Sequence, residues 1–305
     1  MAGDALPPAL PGDQTTLDTP GGRVTVYRSP PAELAQAGRP ALPPLLLVHS
    51  VNAAASAAEV APLYAHYGRN RPVWALDLPG FGLSERRDQR YTPRLMTDAL
   101  HVAITHLRQT TGAGAVDLLA VSLSCEFAAR VACEAPATVR RLALVSPTGF
   151  NGRRSRAGRP GSTLGVPAMY RLVRWPFWSD ALFRGLTRPG VIRYFLRRTW
   201  GSQTIDEALW RYAVQTARVP GARHAPLSFL SAYLFSADID TLYDTLRCPV
   251  WVSMATRGDF TDYRRRDRLQ GRSHWQFHAV PGGALPYFEP DSGFLERLAP
   301  FWLAP

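Results

Sequence analysis

Short runs rich in Val, Leu and Ala, bounded by Pro, Gly, Ser or Asp, recur along the chain: RVTVYRS (23–29), PLLLVHS (44–50), PVWALDL (72–78), AVDLLAVS (115–122), RLALVSP (141–147), PVWVSMA (249–255) and WQFHAVP (275–281). Most are apolar at consecutive rather than alternate positions, the pattern of strands buried on both faces. Stretches with helical spacing separate them, clearest over 92–110 and 124–135. Strand and helix therefore alternate, which predicts a mostly parallel, doubly wound α/β sheet. The Gly-Gly pair in DTPGGRV (18–24) predicts a hairpin turn near the start.

The alternation stops after Thr148. A Gly-, Ser- and Arg-rich linker, GFNGRRSRAGRPGSTLG (149–165), leads into aromatic-rich helical sequence as far as about Arg223, and the strand pattern resumes only at Val250. This predicts a core interrupted by an inserted helical cap: core over 1–150, cap over 151–223, core again over 224–305. Insertions of this length on one side of a sheet commonly supply binding walls.

Composition adds bounds. With 46% apolar residues in 305, the chain has enough material for a large core. It lacks both a membrane-length apolar run and the basic start and apolar stretch of a secretory signal, so a cytosolic protein is expected. Cys125, Cys133 and Cys248 have no metal-ligand spacing, and neither a metal nor another cofactor is expected. The net charge is +11, every basic residue being arginine, and residues 151–200 hold eleven arginines against the single acid Asp180. The charge thus belongs to the cap. No nucleic-acid-binding motif accompanies it, which argues against nucleic acid as the partner.

Five stretches carry chemistry. LLAVSLSCEFAARVA (118–132) runs from strand through a turn at Ser122 into a helix, a geometry that holds a hydroxyl out from the backbone near amide donors. Taken alone, a serine that caps the helix gives the same pattern. LLLVHSVNAAA (45–55) places His49 and Ser50 at the end of a strand, and ALDLPGFGLSE (75–85) places Asp77 and two glycines after the next. CPVWVSMATRGDFTDY (248–263) carries Asp259 beyond a strand, and VPGGALPYFEP (280–290) closes the series.

In order and separation these motifs resemble the α/β-hydrolase superfamily, in its serine-nucleophile branch, over nearly the whole chain apart from the N-terminus and the cap. The resemblance implies the α/β-hydrolase fold, with Ser122 as nucleophile and the amides of Val51 and Leu123 as the oxyanion hole. His49 would then be structural, and Asp259, with Asp262 as the alternative, would be the acid. It also exposes a departure. VPGGALPYFEP is similar to the family's histidine loop shortened by one residue, with Ala284 where the histidine belongs. A serine hydroxyl needs an acceptor for its proton as it attacks, and losing the histidine of a triad costs on the order of a million-fold in turnover. Glu126, one helical turn beyond Ser122, and His224, where the cap rejoins the core, are the candidate substitute bases. Glu126 equally reads as the partner of a buried arginine.

The cap interleaves arginines with Trp175, Phe177, Trp178, Phe183, Phe195 and Trp200. That composition suits an apolar or acyl ligand, or an anionic membrane surface, as well as plain packing against the core. Two functions remain open. One is a hydrolase-like enzyme for ester or acyl bonds with an incomplete triad. The other is a non-hydrolytic binding protein on the same fold, peripheral to a membrane through its cap.

Overall fold

The computed structural model describes residues 5–30 and 42–304. Eight strands, β1 (Asp13–Leu17), β2 (Val24–Arg28), β3 (Leu45–Val48), β4 (Val73–Leu76), β5 (Val116–Val121), β6 (Val139–Val145), β7 (Val250–Ala255) and β8 (Trp275–Val280), form one sheet in the order β1-β2-β4-β3-β5-β6-β7-β8. β1 pairs with β2 and β2 with β4 antiparallel, and every other neighbour is parallel. All seven apolar runs are strands, and the predicted α/β-hydrolase sheet is what they build. The hairpin at Gly22 closes with its N–H donating to Thr19 O at 3.0 Å.

Alternate residues of the central strands feed two cores. Leu46, Val48, Trp74, Leu76, Leu118 and Ala120 face one side, where α2 (Pro93–Thr111) and α3 (Ser124–Glu134) bring Met96, Leu100, Ile104, Phe127 and Val131. Leu45, Leu47, Val73, Ala75, Leu119 and Val121 face the other, against Leu63 of α1 (Ala61–Tyr67) and Phe294, Leu298 and Phe301 at the C-terminal end. With both faces covered, no strand position near the centre meets water, which is why those runs are continuously apolar. α2 has Thr92 at its N-cap, Pro93 in its first turn and the left-handed Gly112 at its end, stop and start signals that its sequence carries openly.

The DLPGFGLSE stretch braces the sheet. Asp77 follows β4, fully buried, and its carboxylate accepts from Tyr27 Oη at 2.7 Å, Ala57 N at 2.7 Å and Leu83 N at 2.9 Å. Gly82, at φ +51°, sits so close that a Cβ would lie 2.0 Å from Asp77 Cγ. A buried hydrogen bond to an ionised group is worth about 1.5–3 kcal/mol, so Tyr27→Phe should lower unfolding stability by that amount. An unchanged denaturant midpoint in that variant would remove Asp77 from its bracing role.

Between β6 and β7 the chain makes a long excursion through α4 (Pro167–Val173), α5 (Ser179–Leu186), α6 (Pro189–Trp200), α7 (Glu207–Thr216), α8 (His224–Leu230) and α9 (Ile239–Thr245). Its way out and its way back are laced together. Gly158 N donates to Ala237 O at 2.8 Å, Ala237 N to Ser162 O at 2.9 Å and Leu164 N to Phe235 O at 3.0 Å. Beyond this neck α9 returns to the core, with Ile239 and Tyr243 buried against the α3 side. After β7 come α10 (Asp267–Gln270), then β8 and α11 (Phe294–Leu303). Among the described residues no helix is long and apolar enough to cross a membrane.

Candidate functional site

β5 runs straight into Ser122, whose φ of +56° is left-handed. That conformation costs a non-glycine residue roughly 1–2 kcal/mol, and here the turn is held by Ser122 N donating to Val145 O at 2.8 Å and by Cys125 N donating to Ser122 O at 3.2 Å. α3 starts two residues later, so the half-buried Ser122 stands at a strand-to-helix elbow. Ser124 does not cap that helix with its side chain. Its hydroxyl donates to His49 O at 2.6 Å, tying the elbow to the loop after β3.

In that loop Leu78 N donates to His49 Nε2 at 3.0 Å, which leaves the proton on Nδ1, where it is donated to Ser50 O at 2.6 Å. His49 is fully buried and its ring is used up. Glu59, which drew no notice in the sequence, organises the rest: its carboxylate accepts from Ser50 N at 2.8 Å and from Asn52 Nδ2 at 2.6 Å. Asn52 Oδ1 in turn accepts from Ala54 N at 2.8 Å. Among the described residues, neither Val51 N nor Leu123 N has a protein acceptor. The only sequence signal for Glu59 was a lone acid in an alanine-rich run.

Asp259 lies in the loop after β7, with its side chain 43% exposed and both carboxylate oxygens taken by Arg198 of α6, at 2.6 Å to Nε and 3.0 Å to Nη2. This pairing holds the Arg198 guanidinium pKa above its ordinary value. Asp262 accepts from Gly152 N at 2.9 Å and Arg264 Nε at 2.8 Å, and the Gly152 amide, with the arginine, holds its carboxyl below the usual range.

Ala284 is 4% exposed and its N–H donates to Thr199 O at 2.9 Å. Asp259 N donates to Arg198 O at 3.3 Å and Arg257 Nε to Trp200 O at 3.1 Å. A helix leaves its last carbonyls without partners, and for α6 the loops after β7 and β8 supply them. Gly283 is pressed so tightly onto this terminus that a Cβ would lie 2.5 Å from Thr199 O and from Trp200 Cα. Glu289 fixes the second loop from behind, accepting from Gly283 N at 3.0 Å and pairing with Arg257.

Neither remaining candidate reaches the elbow. Glu126 is fully buried, and its oxygens accept from Thr148 Oγ1 at 2.6 Å, Ser236 N at 2.8 Å and Arg156 Nη2 at 2.8 and 3.0 Å. Burial pushes its carboxyl pKa up, against the opposing pull of Arg156. His224, also buried, has Nδ1 3.4 Å from Asp88 Oδ1 and a pKa lowered by burial. Among the described residues no side chain hydrogen-bonds the Ser122 hydroxyl. The structure therefore joins Ser122 to the loop bearing Val51 through Ser124, and joins Asp259 to Ala284 through the end of α6.

Solved structures of similar shape include three with different chemistries. The enol-lactonase from Burkholderia xenovorans is 15% identical, with a TM-score of 0.68 over 95% of this chain and 100% of that one. A thermophilic esterase from Thermogutta terrifontis is 16% identical, with a TM-score of 0.68 over 95% and 98%. The epoxide hydrolase CorEH is 19% identical, with a TM-score of 0.67 over 95% and 99%. At such identities the likeness is one of fold. No curated protein sequence matches the chain. Residues 45–297, from β3 into α11, match the model of the alpha/beta hydrolase family, and the chain belongs to that family.

Proposed function

We propose that this protein uses the surroundings of the Ser122 elbow and the Val51 loop to bind an apolar ligand with an ester or acyl head, without histidine-assisted turnover. The observation that carries this reading is the Ala284 amide bonded to Thr199 O. The backbone at the histidine's place is committed to holding a helix, and its methyl group accepts no proton. The unpartnered amides of Val51 and Leu123 suit a carbonyl oxygen, because buried backbone donors rarely go without an acceptor. The helices of the excursion act as a cap that walls the ligand. Expected is ligand binding that survives Ser122→Ala, together with ester turnover no faster than that of the same variant; a Ser122-dependent rate of ordinary esterase size sinks the reading.

One observation favours a second reading, a hydrolase-like enzyme with an incomplete triad. The left-handed strain at Ser122 persists, and binding alone does not call for it. Under that reading a fluorophosphonate probe labels Ser122, and the label disappears in Ser122→Ala. Under the first, labelling is too slow to detect over hours, since nothing takes up the hydroxyl proton.

A further inference from the structure

We propose that the turn joining α4 to α5 docks the protein on an anionic lipid surface. In α4 the positions Tyr170 and Val173 are buried, while Met169 and Leu172 are exposed. The chain then turns through Trp175, Phe177 and Trp178, whose rings form one cluster, with centroids 6.4 Å apart for Trp175 and Phe177 and 6.2 Å for Trp175 and Trp178. Among the described residues nothing covers the cluster: Phe177 is 88% exposed, Leu172 53% and Trp175 50%. Aromatics of the excursion that serve packing are buried, as Phe183 is and as Trp200 is against Phe288 and the sheet.

The cations beside this ridge decide the occupant. Arg171, Arg184 and Arg188 are exposed, and among the described residues none has a carboxylate partner. Some other arginines of the excursion do, namely Arg156 with Glu126, Arg174 with Asp88, Arg193 with Glu207 and Arg198 with Asp259. Arg153, Arg154 and Arg159 near the neck are also exposed without one among the described residues, but have no such aromatic cluster in their own segment. The one acid of the ridge, Asp180, is neutralised by Arg223. Exposed indole and phenyl rings beside unpaired guanidinium groups match the boundary between acyl chains and anionic headgroups, where the rings insert and the arginines reach up to phosphate. A protein partner large enough to cover the ridge would have to bring carboxylates for all three arginines, whereas an anionic bilayer presents phosphates continuously. The protein would lie on the surface rather than cross it. The inference does not depend on whether Ser122 turns over.

The test is co-sedimentation of the full chain with vesicles of equal parts phosphatidylcholine and phosphatidylglycerol, against vesicles of phosphatidylcholine alone. Binding to the mixed vesicles at low salt is expected, weakening steeply as salt rises. The triple variant Arg171→Ala, Arg184→Ala, Arg188→Ala should lose on the order of a hundredfold in partition, from roughly fivefold per arginine near an anionic surface. Trp175→Ala with Phe177→Ala should lose binding while melting like the parent, since neither ring is in the core. Wild-type protein left in the supernatant at low salt overturns the proposal. So does equal binding to phosphatidylcholine alone, or binding untouched by both sets of substitutions. Lipid-free self-association abolished by the aromatic pair would assign the ridge to a second copy of the chain instead, and overturn it too.

Discussion

Glu126→Leu should lower the unfolding free energy by about 3–5 kcal/mol, the usual cost of removing one member of a buried ion pair. The carboxylate is the meeting point of four segments: α3 that carries it, Thr148 after β6, Arg156 in the outgoing arm of the neck and Ser236 in the returning one. Without it Arg156 keeps a nearly buried charge whose remaining acceptor is Ser236 O, at 2.5 Å from Nη2 and 3.1 Å from Nε. The Ser236 amide and Thr148 hydroxyl also lose their acceptor. Adding Arg156→Met removes the orphaned charge and should recover part of the loss, a coupling that a double-mutant cycle reads directly. Glu126→Gln distinguishes the alternatives most cleanly. A substitute base predicts lost activity at unchanged stability, whereas the bonding found here predicts lost stability, with any Ser122 reactivity unmoved in the molecules that stay folded. Denaturant melts followed by fluorophosphonate labelling measure both.

What the sequence disclosed, and what it withheld, follows from how locally each feature is determined. Strands β3 to β7 were visible because burial on two faces leaves a largely apolar run, and β2 and β8 because enough Val, Tyr, Trp and Phe remain in theirs. β1 was not, since DQTTL is an edge strand open to water on nearly every residue and carries no such signature. The elbow was legible in outline from small residues between strand and helix, while the left-handed φ at Ser122 was not, because serine gives no hint of it as glycine would. Glu59 and Arg198 were invisible for a different reason. Glu59 acts on a loop whose register is set by β3 and Asn52, and Arg198 is one arginine among eleven in its segment until α6 is docked onto the loop after β7. Pairing across such sequence distances is a property of the assembled fold. Composition can say that a buried carboxylate needs a cation but not which cation arrives.

That docking shapes the second large effect. Ala284→His alone should leave ester turnover within about tenfold of the parent, and adding Arg198→Ala should raise it at least a further tenfold. A histidine serves as base only when a carboxylate orients the ring and stabilises its cation, and in serine hydrolases removing that carboxylate alone costs roughly 10⁴-fold. Asp259 is the residue that would do this. Both its oxygens are held by the planar fork of Arg198, a bidentate, charge-assisted geometry that an incoming imidazole must displace. The Arg198 side chain is 51% exposed, so its removal costs the fold little, and frees the acid. The comparison of kcat/KM on p-nitrophenyl butyrate, with Ser122→Ala in each background as the zero, separates the causes. A hundredfold gain from Ala284→His alone would mean that Arg198 yields readily and that the missing imidazole was the whole defect. No gain even in the double variant would mean that the backbone seat of α6 on Gly283 and Ala284, rather than the Arg198 pair, holds the two loops out of register with Ser122.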